Sequence, residues 1–185
     1  VTFPDGKVWC LNRSNGKPVS TWGTNGYFKT VDGLDVTGSV SVSEEYIYFS
    51  DYNFNSSNSH LYRLDKRTGE QISRADVFPS SGTPAVGDGI VVTCGVDWWG
   101  ASTNWTAAFA AKPGAGGSPD EIWEKKDVGG FNMSASIVDG KVLVGNFDAN
   151  TWTNSGIYCL DADTGGEVWS SKEAGSVPVP TKYGV

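Results

Sequence analysis

Short apolar runs alternate with tight polar turns along the whole chain. Ser39-Val40-Ser41-Val42-Ser43 places apolar side chains at every second position and is followed by Tyr46-Ile47-Tyr48-Phe49. The same form returns as Pro84-Ala85-Val86-Gly87 before Ile90-Val91-Val92-Thr93, and as Ala135-Ser136-Ile137-Val138 before Lys141-Val142-Leu143-Val144. Alternation with a period of two predicts strands, and Asp88-Gly89 and Asp139-Gly140 between the runs predict two-residue hairpins. A second hairpin follows each of these, and another opens the chain. Its pattern is an apolar or aromatic residue, x, Leu, Asp or Asn, two residues, Thr or Asn, and Gly. It reads Trp9-Cys10-Leu11-Asn12 to Gly16, Tyr62-Arg63-Leu64-Asp65 to Thr68-Gly69, and Tyr158-Cys159-Leu160-Asp161 to Thr164-Gly165. A looser copy runs through Ala107-Ala108-Phe109-Ala110, with its turn enlarged over 113–120 before Glu121-Ile122-Trp123.

Gly69 and Gly165 are 96 residues apart, room for two units of about 48 residues. Each unit therefore comprises four strands, A to D, over 33–77, 78–128 and 129–175. Partial units flank them at 6–22, where strands C and D are expected, and at 176–185, which reads as a strand A. Four antiparallel strands at this period predict β-propeller blades. The expected fold is all-β: a single partial propeller of about four blades, its ring completed by further blades or by another copy.

Composition narrows the function. The 185 residues carry a net charge of −7 with pI near 4.6, which disfavours nucleic acid and anionic membrane surfaces as partners. No apolar run is long enough to insert in a membrane. The chain opens Val1-Thr2-Phe3-Pro4 without an initiator Met or signal-type segment, as a mature or trimmed chain would. Asn-x-Ser/Thr acceptors at Asn12, Asn55, Asn104 and Asn132, and an Asn-, Ser-, Gly- and Trp-rich composition with little Lys, point to an extracellular, cell-surface or periplasmic protein. Cys10, Cys94 and Cys159 have no metal-ligand spacing and read as buried free thiols. His60 is the sole histidine and reads as structural.

The second hairpin resembles the pyrroloquinoline-quinone-type repeat of the quinoprotein dehydrogenase-like propeller superfamily. That repeat has a small residue, Asp two positions on, Thr-Gly three to four further, and Trp four after the Gly. Cys159, Asp161, Thr164, Gly165 and Trp169 match throughout; Asp65, Thr68 and Gly69 match, but Ser73 stands at the Trp position; Cys10, Asn12 and Gly16 match loosely, with Ser20 there. The resemblance implies that Trp123 and Trp169 pack between neighbouring blades. Catalytic members of the family hold a quinone and Ca²⁺ with Glu, Asn and Asp, many beside a disulfide of adjacent cysteines. This chain has neither adjacent cysteines nor a haem-attachment CxxCH motif. It is closer to the non-catalytic scaffold members, which include the outer-membrane assembly lipoprotein, so no enzyme activity, cofactor or metal is expected.

Chemistry-bearing residues concentrate in the three connections between strands B and C. These carry Asp51, Tyr52, Asn53 and Phe54; then Asp97, Trp98, Trp99 and Trp105; then Asp148, Asn150 and Trp152. Because strands alternate in direction, all three connections emerge on one face. Aromatic faces beside Asn and Asp suit a sugar ring or a protein surface. The alternative is that the loops only pack on one another and cap the blades. Asp51-x-Asn53-x-Asn55 resembles half of a calcium loop, but Tyr62 stands where the bidentate Glu belongs. The expected function is a non-enzymatic binding or scaffolding module engaging protein or glycan. The alternatives are a piece of a quinone-dependent dehydrogenase and a surface-layer or filament subunit.

Overall fold

The computed structural model describes residues 1–55, 57–99, 103–114, 120–148, 150–173, 175 and 177–182. Parts of the B–C connections, the centre of the enlarged turn at 115–119 and residues 183–185 of the last partial unit lie outside them.

Four antiparallel sheets follow one another along the chain. The first has three strands, β1 (Thr2–Phe3), β2 (Lys7–Trp9) and β3 (Tyr27–Lys29). The second contains β4 (Ser41–Val42), β5 (Tyr46–Ser50), β6 (Ser59–Asp65) and β7 (Gln71–Val77). The third contains β8 (Ala85–Gly87), β9 (Ile90–Asp97), β10 (Thr103–Ala110) and β11 (Glu121–Lys126). The fourth contains β12 (Ala135–Val138), β13 (Lys141–Asp148), β14 (Thr153–Asp161) and β15 (Glu167–Ser171). Every strand pairs with its sequence neighbour, as hairpin-linked strands do. Asp88-Gly89 and Asp139-Gly140 have positive φ at both residues, the backbone that a two-residue hairpin of right-handed twist requires.

The apolar cores lie between sheets, one at each junction. Val8 and Trp22 of the first sheet's unit meet Phe49, Tyr62 and Leu64 of the second. Tyr48, Leu61 and Val77 meet Val91, Trp105, Ala107 and Phe109. Val92, Cys94, Ala108 and Trp123 meet Val142, Val144, Phe147 and Leu160. Val91 and Val92 thus bury on opposite faces of one strand, as a period of two dictates. A central sheet covered on both faces reads as a continuous apolar run, which is why β9 is buried from Ile90 to Val96. This face-to-face stacking is the arrangement of propeller blades.

The tight turns repeat down to single hydrogen bonds. Asp65 Oδ1 accepts the Arg67 and Thr68 N–H groups, and Asp161 Oδ1 accepts those of Asp163 and Thr164. Gly69 and Gly165 close these turns at φ +75° and +67°, a conformation that Gly adopts without steric cost. A β-bulge follows each turn at the same register, where Arg63, Ala108 and Cys159 pair with Ser73, Trp123 and Trp169. The Thr68 amide holds the Asp65 carboxyl below its ordinary value, and the Thr164 hydroxyl does the same for Asp161. A carboxyl with a lowered folded pKa stabilises the fold above its ordinary value of 3.8 and loses that contribution as pH falls through the folded value. Acid titration followed by circular dichroism checks this. Below pH 3.8 the wild type is expected to lose stability more steeply than the Asp65→Asn, Asp161→Asn double variant, which keeps an acceptor at each turn as Asn12 does.

Tryptophan ties one sheet to the next. Trp123 Nε1 donates to the Ala162 carbonyl across the third junction at 2.8 Å. Trp22 Nε1 donates to the equivalent Lys66 carbonyl across the first at 2.9 Å. A Cβ on Gly165 or Gly69 would stand 2.7 Å from the respective indole, so only glycine admits the ring there. Trp22 reaches this place from an insertion. Leu11 bridges Pro18, but Trp9 pairs with Tyr27, so the outer strand is interrupted over about 19–26 and resumes as β3. The expected two-strand unit at 6–22 is corrected to a three-stranded sheet spanning 2–29.

At the second junction Ser73 has no ring to offer. The Tyr48 hydroxyl donates instead to the Ala111 carbonyl at 2.5 Å, the same register position as Lys66 and Ala162. Beside it Arg63 is 4% exposed, donates to the Ala110 carbonyl, and lies over the Tyr46 and Tyr48 rings at 5.8 and 5.7 Å. Guanidinium on aromatic faces recovers part of the cost of burying the charge. The expectation for Trp169 is corrected: it is 41% exposed and donates to no turn carbonyl of another blade among the described residues.

All three cysteines are free thiols. Burial pushes the Cys94 thiol up to about 12, and raises Cys159 against the opposing charge of Lys141.

Candidate binding rim

The links between sheets and the connections inside them share one face, as the alternation of strand direction requires. Asp35 of the first link bridges Tyr52, and Phe131 of the third link packs on Trp98 at 5.2 Å. Three sheets place aromatic rings side by side there. Phe54 of the second meets Trp98 of the third at 6.1 Å, and Trp98 stacks on Trp152 of the fourth at 5.8 Å and 19°. Phe147 supports this pair edge-on, 5.9 Å from Trp152 and 5.2 Å from Phe131. The Trp99 indole N–H donates to the Phe54 carbonyl at 2.8 Å and ties two connections together. Ser57 donates to Asp97 Oδ1 across the same gap at 2.7 Å.

The strip has a packed floor and an exposed crest. Trp98 and Tyr52 are half-buried, whereas Phe54, Trp99 and Trp152 are 54%, 63% and 64% exposed. The Trp98 N–H is buried without a well-formed hydrogen bond; it faces the Tyr52 phenol, whose pKa burial raises. Trp152 has φ +57°, a left-handed conformation that a bulky residue adopts only at a cost of about 1–2 kcal/mol. Asp148 holds it there: its carbonyl accepts the Trp152 N–H, while Oδ1 accepts Asn150 and Thr151 N–H groups. The Asn150 amide is the main cause of the lowered Asp148 pKa.

Other expected rim residues do different work. Asp51 is fully buried: its carboxylate accepts from the Tyr62 hydroxyl and the His60 N–H, with His60 Nδ1 2.9 Å away. Burial, with the Asp51 charge beside it, drives the Tyr62 phenol well above its ordinary range. Asn53 Oδ1 accepts the Asn55 N–H at 3.0 Å. Trp105 is 4% exposed, packing on Phe78 and donating to Glu124 across its own sheet. Both are corrections with one cause: the ladder runs further than the apolar pattern marks, turning Asp51 and Trp105 inward. The sequence reading did not include Phe131 and Phe147. Their signal was an aromatic on a link, and one at a strand end, on the same face as the connections.

No family model matches the chain, and no curated protein matches it. Solved structures do. BamB from Moraxella catarrhalis superposes with a TM-score of 0.63 at 18% identity, covering 92% of this chain and 44% of that one. The quinohemoprotein alcohol dehydrogenase ADHIIG from Pseudomonas putida HK5 gives 0.67 at 16%, covering 94% and 32%. That of Comamonas testosteroni gives 0.60 at 15%, covering 92% and 34%. The fold is the β-propeller fold that these structures share. The four sheets are its blades, and the chain spans less than half the length of these structures.

Proposed function

We propose that this chain is a non-enzymatic binding module of an exported or cell-surface protein, engaging a glycan or a protein through the aromatic rim. The observation that carries the reading is Trp152, held in a sterically costly backbone conformation with its ring stacked on Trp98 and open to solvent. Strain that the surroundings maintain at an exposed aromatic is the mark of a contact residue rather than a core one. Rigid indoles of this kind supply large contact area at little entropic cost. A glycan array and a pulldown from secreted proteins, each repeated with Trp99→Ala and Trp152→Ala, test it. Each substitution is expected to weaken binding by about 1–2 kcal/mol, roughly 5–30-fold, with the melting temperature unchanged. Ligands bound equally by both variants would remove the rim from the account.

The likeness to dehydrogenases favours a second reading, as part of a quinone enzyme. Among the described residues no three His, Cys, Asp or Glu side chains converge as a metal site, and the chain covers about a third of those enzymes' length. Turnover of an alcohol by the chain with added quinone and Ca²⁺ would support this second reading instead.

A further inference from the structure

Charge is sorted between the two ends of the strands. The rim face is built from the links at 30–38, 78–84 and 127–134 and the connections at 51–58, 97–102 and 148–152. Together these hold six aspartates and no lysine or arginine. The turns at the opposite end are mixed, with Arg13, Lys17, Lys66, Arg67, Lys112 and Lys141 among their carboxylates. Lys29, Lys126 and Lys172 border the rim face, each at the end of an outermost strand. Lys126 lies 3.9 Å from Glu124 of its own strand.

Of the six aspartates only Asp51 is buried; Asp32, Asp35 and Asp127 are exposed, and Asp97 and Asp148 are half-buried. Among the described residues Asp32, Asp35, Asp127 and Asp148 make no ion pair. The Asn150 amide holds the Asp148 carboxyl below its ordinary value, so it stays ionised four residues before Trp152. Open indole faces beside uncompensated carboxylates attract a cation in two ways, through the ring quadrupole and through net charge. The same carboxylates repel an acidic surface, and a neutral sugar gains nothing from their charge.

We propose, resting on the aromatic-rim reading, that the rim's partner is a basic protein segment whose arginine side chains lie over Trp99 and Trp152 and meet the rim aspartates. A guanidinium stacks on a ring and keeps donors for a carboxylate, which a compact ammonium does less well. The chain uses the same stacking in its interior, where Arg63 lies over Tyr46 and Tyr48 at 5.8 and 5.7 Å. The rings run from the second blade to the fourth, a footprint that suits an extended segment with several cations.

Fluorescence anisotropy with three labelled probes tests the proposal. They are a peptide of alternating arginine and glycine, the same peptide with glutamate for arginine, and a neutral β-linked glucan oligosaccharide. Only the arginine peptide is expected to bind, and more weakly as salt rises from about 50 to about 150 mM. Trp99→Ala and Trp152→Ala are each expected to weaken it about 5–30-fold. Asp35→Asn with Asp148→Asn removes two charges but keeps an acceptor oxygen at each site, and is expected to weaken it about 2–10-fold. Glu44→Gln with Glu70→Gln makes the same charge change roughly 20 Å away along the strands, and is expected to leave binding within about twofold. An arginine peptide that does not bind, or that binds the double-Asn variant as tightly as the wild type, would overturn the basic partner. Glucan binding that depends on Trp152 would in that case leave the rim itself standing. Arginine-peptide binding indifferent to both tryptophan substitutions would overturn the partner and the rim together.

Discussion

Trp123→Ala is expected to lower the melting temperature by roughly 10 °C, the largest single effect in the chain. The indole is 7% exposed and lies between the third and fourth blades, against the turn glycine Gly165. Truncating a buried tryptophan costs about 3–5 kcal/mol through lost transfer and the cavity left behind. The Ala162 carbonyl also loses its donor. For a chain of this length each kcal/mol moves the midpoint by about 2–4 °C. Thermal unfolding by circular dichroism measures it. Trp123→Phe should recover most of the packing but not the hydrogen bond, and fall between the two. A shift of under 2 °C for Trp123→Ala, within about one kcal/mol, would show that the junction contributes little.

Asp51→Ala is expected to cost about 3 kcal/mol or more, even though the new side chain is smaller and apolar. The carboxylate is fully buried and accepts from the Tyr62 hydroxyl and the His60 backbone N–H, beside the His60 ring. Removing it strands these donors in the interior, and each unsatisfied donor costs about 1–3 kcal/mol. The Tyr62 hydroxyl also accepts the Val31 N–H, so the link from the first to the second blade loosens with it. Tyr62→Phe removes one donor to Asp51 and the acceptor of the Val31 N–H but leaves the His60 N–H its acceptor, and is expected to cost less. Urea unfolding of the two variants and their double mutant checks the coupling; additive costs would contradict a shared network.

The strands and their order were legible because the chain states them redundantly. Alternating apolar runs, two Asp-Gly turns with positive φ at both residues and a recurring Asp-x-x-Thr-Gly turn all specify the same four-stranded unit. What escaped was information held between units. Trp22 sits inside an insertion, so counting residues from Gly16 lands on Ser20 although the indole arrives at the usual place. Tyr48 replaces a tryptophan from a different strand, and no spacing within one repeat reveals that substitution. Trp169 has the right residue at the right spacing; its receiver is what the described chain does not bring to it. In the rim, composition located the aromatics, but the strands reach further than the pattern marks. Asp51 and Trp105 therefore face the core, while Phe54, Trp99 and Trp152 stay outside.

Nuclear Overhauser contacts from the indole N–H protons offer the most direct test of blades tied to one another by tryptophan. The Trp123 proton is expected to contact Ala162 and Gly165, and the Trp22 proton Lys66 and Gly69, across 39 and 44 residues of sequence. Contacts confined to each tryptophan's own sheet, with none to the turn of the next, would contradict the account.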